Sequence, residues 1–234
     1  MRSFEVTFLL FVTFPLNTMV VIKPRYVIGS QSEVASGSPI IWVLGGPGCG
    51  KGTQCDRIIA KYGFSHFSTG DLLRAEVASG SPKGKELQDM MTKGLLVSNQ
   101  IVLELLEAAM NKVANTPGFL IDGYPREPAQ GPEFEKIIAP VDIILYFECS
   151  DNTLVTRIMK RAAESAVKRA DDNEETLKTR IATFRENTEK ILAQYPSQLR
   201  RIDAERDVDT IFADVTKAID DCLATKKTKA AVAQ

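Results

Sequence analysis

The run Gly45-Gly46-Pro47-Gly48-Cys49-Gly50-Lys51 constrains this chain more than any other feature. Before it stands Ile40–Leu44, a short all-apolar stretch suited to a strand buried on both faces. After it, Lys51–Tyr62 carries Ile58, Ile59 and Tyr62 at helical spacing. A G-x-x-x-x-G-K turn between a strand and a helix is a phosphate-binding loop. Its glycines let successive N–H groups turn inward onto phosphate oxygens, and the positive end of the following helix adds to that field. Lys51 is then expected to set its ammonium on the β- and γ-phosphates of a nucleoside triphosphate, with Gly48, Cys49, Gly50, Gly52 and Thr53 completing the cradle. Gly52 stands where most such loops carry a Ser or Thr that holds Mg2+, and Thr53 comes one later. Mg2+ is therefore expected to be held mostly by phosphates and water.

From Ile40 onward strand and helix patterns alternate, the order of a parallel sheet wrapped by crossover helices. Further strands are expected at Gly118–Ile121, Ile143–Phe147 and Arg201–Asp203. Between the first strand and Gly118 lies an excursion of about seventy residues, several times an ordinary crossover, so it must hold a subdomain. Its helices are expected over Asp71–Gly80, Ser81–Lys93 and Ser98–Ala114, each opened by a capping residue. Later helices read as Asp151–Ala166, Glu175–Tyr195 and Val208–Thr225, and Lys226–Gln234 reads as a frayed tail.

A net charge of -1, from 29 Lys and Arg against 30 Asp and Glu, removes any general attraction to nucleic acid or anionic membrane. Phosphate binding must be local. With 44% hydrophobic and 25% charged residues, the chain is neither a disordered tail protein nor a multi-span membrane protein. Cys49, Cys55, Cys149 and Cys222 lack C-x-x-C spacing, which argues against a zinc site and a disulfide framework and for a reducing, cytoplasmic compartment. Phe4–Ile22 is mostly apolar, with Glu5 as its one charge. Pro15 and the lack of a small-x-small cleavage site argue against a secretory signal, and the run is too broken for the roughly 20 apolar residues that span a bilayer. Residues 1–39, ending in the Ser/Gly-rich linker Gly29–Pro39, are expected to be an extension outside the catalytic fold. A membrane or organelle signal and a packed strand stay open as alternatives. Residues 40–225 are expected to form the folded domain, and 226–234 the tail.

Gly45–Gln54, then Phe67-Ser68-Thr69-Gly70-Asp71-Leu72-Leu73-Arg74, then Gly118-Phe119-Leu120-Ile121-Asp122-Gly123-Tyr124-Pro125-Arg126 occur in an order and spacing that closely resembles the adenylate kinases of the short-lid cytosolic kind. The resemblance covers about Ile40 to Cys222. It implies an α/β, three-layer P-loop NTPase fold with a five-stranded parallel sheet, a helical NMP-binding region over about 68–97 and a short lid over about 161–171. It implies a monomer acting on ATP, AMP and ADP with Mg2+, without nucleic acid or stable membrane association. Thr69 and Gln130 would read the adenine of AMP, a Gln amide offering donor and acceptor together. Arg74 and Arg126 would clamp the AMP phosphate with forked donors, and the main chain at Leu95, Leu96, Val97 and Gly123 would complete the pocket. Asp122, ending a buried strand beside the loop, would accept hydrogen bonds from Mg2+-bound water. His66 is read as structural, a buried histidine with local hydrogen bonds at a strand end, because transfer between phosphates needs no general base.

By the same resemblance Arg157 stacks on the adenine of ATP, while Arg161, Arg169 and Arg180 surround the transferring phosphoryl group, the last two also reaching AMP. Charge spread over the equatorial oxygens must be met by fixed cations in a site that has expelled water. Arg185 and Arg200 read instead as a solvated helix face. Where the family carries Arg-Gly-x-x-Ser-Gly-Arg, this chain has Arg161-Ala162-Ala163-Glu164-Ser165-Ala166-Val167-Lys168-Arg169, longer by two and without glycine. Alanine favours helix over hinge, so a stiffer lid, or one hinged elsewhere, is expected. Asp171 and Asp172 would hold the lid arginines apart on closure. Arg206 stands where relatives often carry Gly, at a backbone contact to the adenine of ATP. Cys49 either simply fits its place in the loop or is a reactive thiol at a helix start. Two alternatives remain. A uridylate/cytidylate kinase is opposed by Thr69, where pyrimidine-specific relatives tend to carry Ala. A nucleotide-binding protein without turnover is opposed by Lys51 and the lid arginines.

Overall fold

The structure is a computed structural model that describes residues 37–113, 115–164 and 173–232. The apolar run Phe4–Ile22, most of the linker and the lid residues Arg169, Asp171 and Asp172 lie outside the described residues. The elements are β1 (Ile40–Gly45), α1 (Lys51–Tyr62), β2 (Ser65–Ser68), α2 (Thr69–Ala78), α3 (Pro82–Thr92), α4 (Asn99–Met110), β3 (Phe119–Asp122), α5 (Gln130–Ile137), β4 (Ile143–Glu148), α6 (Asp151–Glu164), α7 (Glu174–Leu192), β5 (Leu199–Asp203) and α8 (Val208–Val232).

All five strands pair in parallel, in the order β2-β3-β1-β4-β5. The apolar runs explain the three layers. In β1, Ile40, Trp42 and Leu44 enter one core, with Leu106, Met110, Phe134 and Tyr195. Ile41 and Val43 enter the other, with Ile58, Ile211, Val215 and Ile219. β3 and β4 divide in the same way, so helices cover both faces of a sheet whose central strands, β1, β3 and β4, are apolar up to their last residues. Leu106 on α4 is fully buried, at 0% exposure. Leu106→Ala is expected to lower the urea midpoint, at a cost of about 2–5 kcal/mol from lost burial plus cavity.

Asp122 lies opposite both Val43 of β1 and Ser68 of β2, so β2 and β3 end level while β1 runs two residues further, to Gly45. Chain connections leave β1 and β3 in opposite directions along the sheet, and the crevice beyond such strand ends is where open α/β sheets bind ligands.

Departures from expectation are local. The strand β2, implied only by placing His66 at a strand end, had no apolar run to bound it, because only Phe67 of Ser-His-Phe-Ser is buried on this edge strand. The helix α5 is short and sits among Pro128, Gly131 and Pro132, which mask its periodicity; Pro132 falls in the first turn, where proline is tolerated. The segment expected to fray from Lys226 continues α8 to Val232. Lys and Ala are strong helix formers, and Lys226 Nζ donates to Asp142 Oδ2 at 2.8 Å and to Ser38 O at 3.2 Å. Among the described residues, no helix is long and apolar enough to cross a membrane.

Candidate active site

The loop between β1 and α1 closes through left-handed backbone. Gly48 has φ 84°, and a Cβ there would fall 2.8 Å from the backbone oxygen of Leu154, so no other residue fits. Gly50, at φ 96°, is the N-cap of α1, whose first residue is Lys51. The Lys51 ammonium folds over the loop and donates to Gly45 O at 2.8 Å and Gly46 O at 2.9 Å, with Cys49 Sγ 3.6 Å away. Cys49 itself is buried, at 1% exposure.

A cleft of about 790 Å3 opens over this loop. Pro47 to Gln54 line one side, and Lys51 shares the cleft with six arginines: Arg74, Arg126, Arg157, Arg161, Arg180 and Arg206. The acids at its wall are Asp56, Asp71 and Asp122, so a chain near neutrality overall carries a cationic cleft. Arg157, on α6, donates from Nη1 to Ala204 O at 2.9 Å and Cys49 O at 3.4 Å, which fixes it between the loop and the end of β5. Glu205 secures that end by accepting from the Ser150 N–H and the Thr153 hydroxyl, both at 2.9 Å, at the start of α6. The hydrogen bonds from Ser150 and Thr153 hold the Glu205 carboxyl down at about 2. Nothing in the sequence pattern marks Glu205 for this task. Arg206 pairs with Asp203 and Asp214 at the cleft edge.

A smaller cavity of about 60 Å3 adjoins the cleft. Thr69, Arg74, Leu95, Leu96, Val97, Gly123, Arg126, Gln130 and Arg180, which the resemblance grouped together, all line it. Thr69 Oγ1 donates to Gly123 O at 3.0 Å. Gln130 is buried, its Oε1 accepting from the Arg126 N–H at 2.7 Å and its Nε2 donating to Glu127 at 3.2 Å. Arg126 Nε donates to Gly123 O at 2.8 Å, and Arg74 is ion-paired with Asp71.

Asp122 stands at the floor of the cleft, where its Oδ1 is buried without a hydrogen-bond partner. His66, in β2, sets Nε2 3.8 Å from Asp122 Oδ2, and that nitrogen also lacks a hydrogen bond. The expectation of a locally satisfied histidine is therefore corrected: the parallel register brings the ring to Asp122 without closing the bond. Arg185 is exposed on α7, as read, but it also bonds Asp151 and the carbonyl of Cys149, tying α7 to the start of α6. Arg200 is exposed as expected, but it stands on strand β5 and not on a helix, bonded to the nearby carbonyls of Ser197 and Leu199. Residues missed from sequence include Phe184, Thr188 and Ile191, whose helical spacing places one stripe of α7 along the cleft. Met91 and Val102 in the smaller cavity carry no sequence signal beyond an ordinary core pattern.

Comparison with known proteins follows the same motifs. The family model described as adenylate kinase matches residues 43–200. Adenylate kinase 1 of Drosophila melanogaster is 58% identical over 205 residues, covering 87% of this chain and 89% of its own. Adenylate kinase isoenzyme 1 of Gallus gallus is 52% identical, covering 77% and 94%, and that of Homo sapiens 49%, covering 81% and 98%.

Proposed function

Since the chain belongs to the adenylate kinase family and transfers the terminal phosphoryl group of ATP reversibly to AMP, giving two ADP, we propose that the large cleft takes ATP and the smaller cavity takes AMP. The observation that carries this division is that Arg126 and Arg180 border both cavities. A phosphoryl group passing between them meets guanidinium groups on the way, and in-line transfer needs just such fixed charge.

In this reading Lys51 leaves the loop carbonyls for the β- and γ-phosphates, and the N–H groups from Gly48 to Thr53 hold the same oxygens. Arg157, braced by Ala204 O, stacks on the adenine of ATP, with the backbone at Arg206 beside it. Thr69 and Gln130 read the adenine of AMP, and Arg74 and Arg126 clamp its phosphate. Arg161, Arg180 and, from the lid, Arg169 close on the transferring group and exclude water. Mg2+ accompanies ATP: the buried, unpartnered Oδ1 of Asp122 at the cleft floor fits a carboxylate that accepts from the ion's water shell. The ion supplies neutralisation of charge on the phosphates. The extension that precedes Ser38 lies outside the catalytic fold, whereas Ser38 and Pro39 are hydrogen-bonded to Thr116 and Phe119. The protein works as a monomer, and in a reducing cytoplasm, the latter supported by four free cysteines. The lid is stiff, supported by the unbroken course of α6 through Ala162 and Ala163.

Acceptor preference tests the small cavity. In a coupled assay AMP is expected to be turned over in preference to CMP and UMP. Thr69→Ala should narrow that preference about tenfold, the worth of one hydrogen bond of about 1–1.5 kcal/mol. A wild-type enzyme that prefers CMP would overturn the assignment.

A further inference from the structure

Asp122 is one corner of a group whose other two members, Cys55 and His66, the transfer reaction does not use. Cys55 Sγ, a ring nitrogen of His66 and a carboxylate oxygen of Asp122 all lie within 4.8 Å of one another. Among the described residues no other three His, Cys, Asp or Glu side chains come so close. The three arrive from separate elements: α1, the second residue of β2, and the last residue of β3. Two of them present unsatisfied atoms, His66 Nε2 and Asp122 Oδ1, each buried and without a hydrogen bond. A buried polar atom left unpaired costs free energy, and two in one place point to a ligand that satisfies both.

We propose that Cys55, His66 and Asp122 form a binding site for one borderline-soft divalent cation of the zinc class. A thiolate, an imidazole and a carboxylate are the zinc donor set, whereas Mg2+ takes oxygen donors and would leave the sulfur and nitrogen unused. Zn–N and Zn–S bonds of about 2.0 and 2.3 Å put tetrahedral ligands about 3.3–3.6 Å apart. The 3.8 Å from His66 Nε2 to Asp122 Oδ2 is close to this, and no separation within the group exceeds 4.8 Å. His66 and Asp122 also line the ATP cleft, which gives the ion an entry path and leaves the fourth position open to water or to a phosphate oxygen. On binding, the Cys55 thiol gives up its proton to solvent and its sulfur bonds the metal.

Cys55 stands one helical turn beyond Lys51 on α1. An ion held there occupies Asp122 and places a fixed charge at the ATP phosphates, so occupancy inhibits transfer. That consequence rests on the role proposed for Asp122 above, while binding of the metal does not.

Titration of the full-length, chelator-treated enzyme with Co2+ alone tests the site. One equivalent is expected to give tetrahedral d–d bands and a thiolate-to-cobalt charge-transfer band. The charge-transfer band should vanish in Cys55→Ser and persist in Cys49→Ser, and the d–d intensity should fall in His66→Asn. Absence of these bands in the wild type, or a charge-transfer band that follows Cys49 instead, overturns the proposal. In the activity arm, Zn2+ should inhibit the wild type reversibly, with chelator restoring turnover. Cys55→Ser should keep its basal turnover and lose that sensitivity. Cobalt spectra that obey Cys55 together with turnover indifferent to Zn2+ would uphold the site and refute the role given to Asp122.

Discussion

In a Lys51→Met enzyme, kcat is expected to fall by about 10²–10³, the effect of removing one preorganised cationic donor worth about 3–4 kcal/mol from a phosphoryl-transfer transition state. Methionine keeps the length and flexibility of the lysine stem, so the cavity is not reshaped. What it lacks is a charge that can meet the β- and γ-phosphate oxygens as electron density moves between them. The backbone N–H groups of the loop remain, and ATP affinity should change far less than kcat. Lys51 also bonds Gly45 O and Gly46 O, so thermal unfolding must be followed alongside the kinetics. A loss of turnover with melting little changed places the effect in catalysis. Single-turnover rates within about threefold of wild type would refute the role of Lys51, since an effect that small is under about 1 kcal/mol.

Arg126 gives the second large effect, with a different signature. It lines both cavities, and its Nε is held by Gly123 O at 2.8 Å, so the guanidinium is aimed before any substrate enters. Arg126→Ala is expected to reduce kcat/KM for AMP by about 10³, combining lost clamping of the AMP phosphate with lost charge stabilisation of the transfer. ATP affinity measured calorimetrically should stay within about threefold, an effect under 1 kcal/mol. Arg126→Lys should recover only part of the loss, because an ammonium offers a point charge where a planar fork is needed. Arg200→Ala is the control: this arginine is exposed on β5 and bonded only to nearby carbonyls, and its replacement should leave both parameters unchanged. An Arg126→Ala enzyme with normal AMP kinetics would refute the assignment of the smaller cavity.

Much of this site was legible before any coordinates because its parts lie in short motifs. Gly45 to Thr53 dictate a strand, a left-handed turn and a helix start by local sterics, and the structure forms them over the expected residues. Thr69, Arg74, Gly123, Arg126 and Gln130 were implied by the resemblance that two further motifs carry, and they converge on one cavity. Less local features were harder to read. Phe184, Thr188 and Ile191 look like any apolar-edged helix face until α7 is laid along the cleft. Glu205 resembles a surface acid until folding brings it to the start of α6. Lys226 belonged, on composition, to a tail, and only the approach of Asp142 and Ser38 extends order past it.

The sequence by itself determined the phosphate loop and the alternating α/β order, because backbone sterics and periodicity act between near neighbours. It also gave no sign of a metal site, since no cysteine pair has ligand spacing. Only the tertiary structure decided that Cys55, His66 and Asp122 share one corner of the cleft. These residues stand 11 and 56 positions apart in the chain. Parallel pairing of β2 with β3, and the packing of α1 over β3, supply the proximity that no linear spacing encodes.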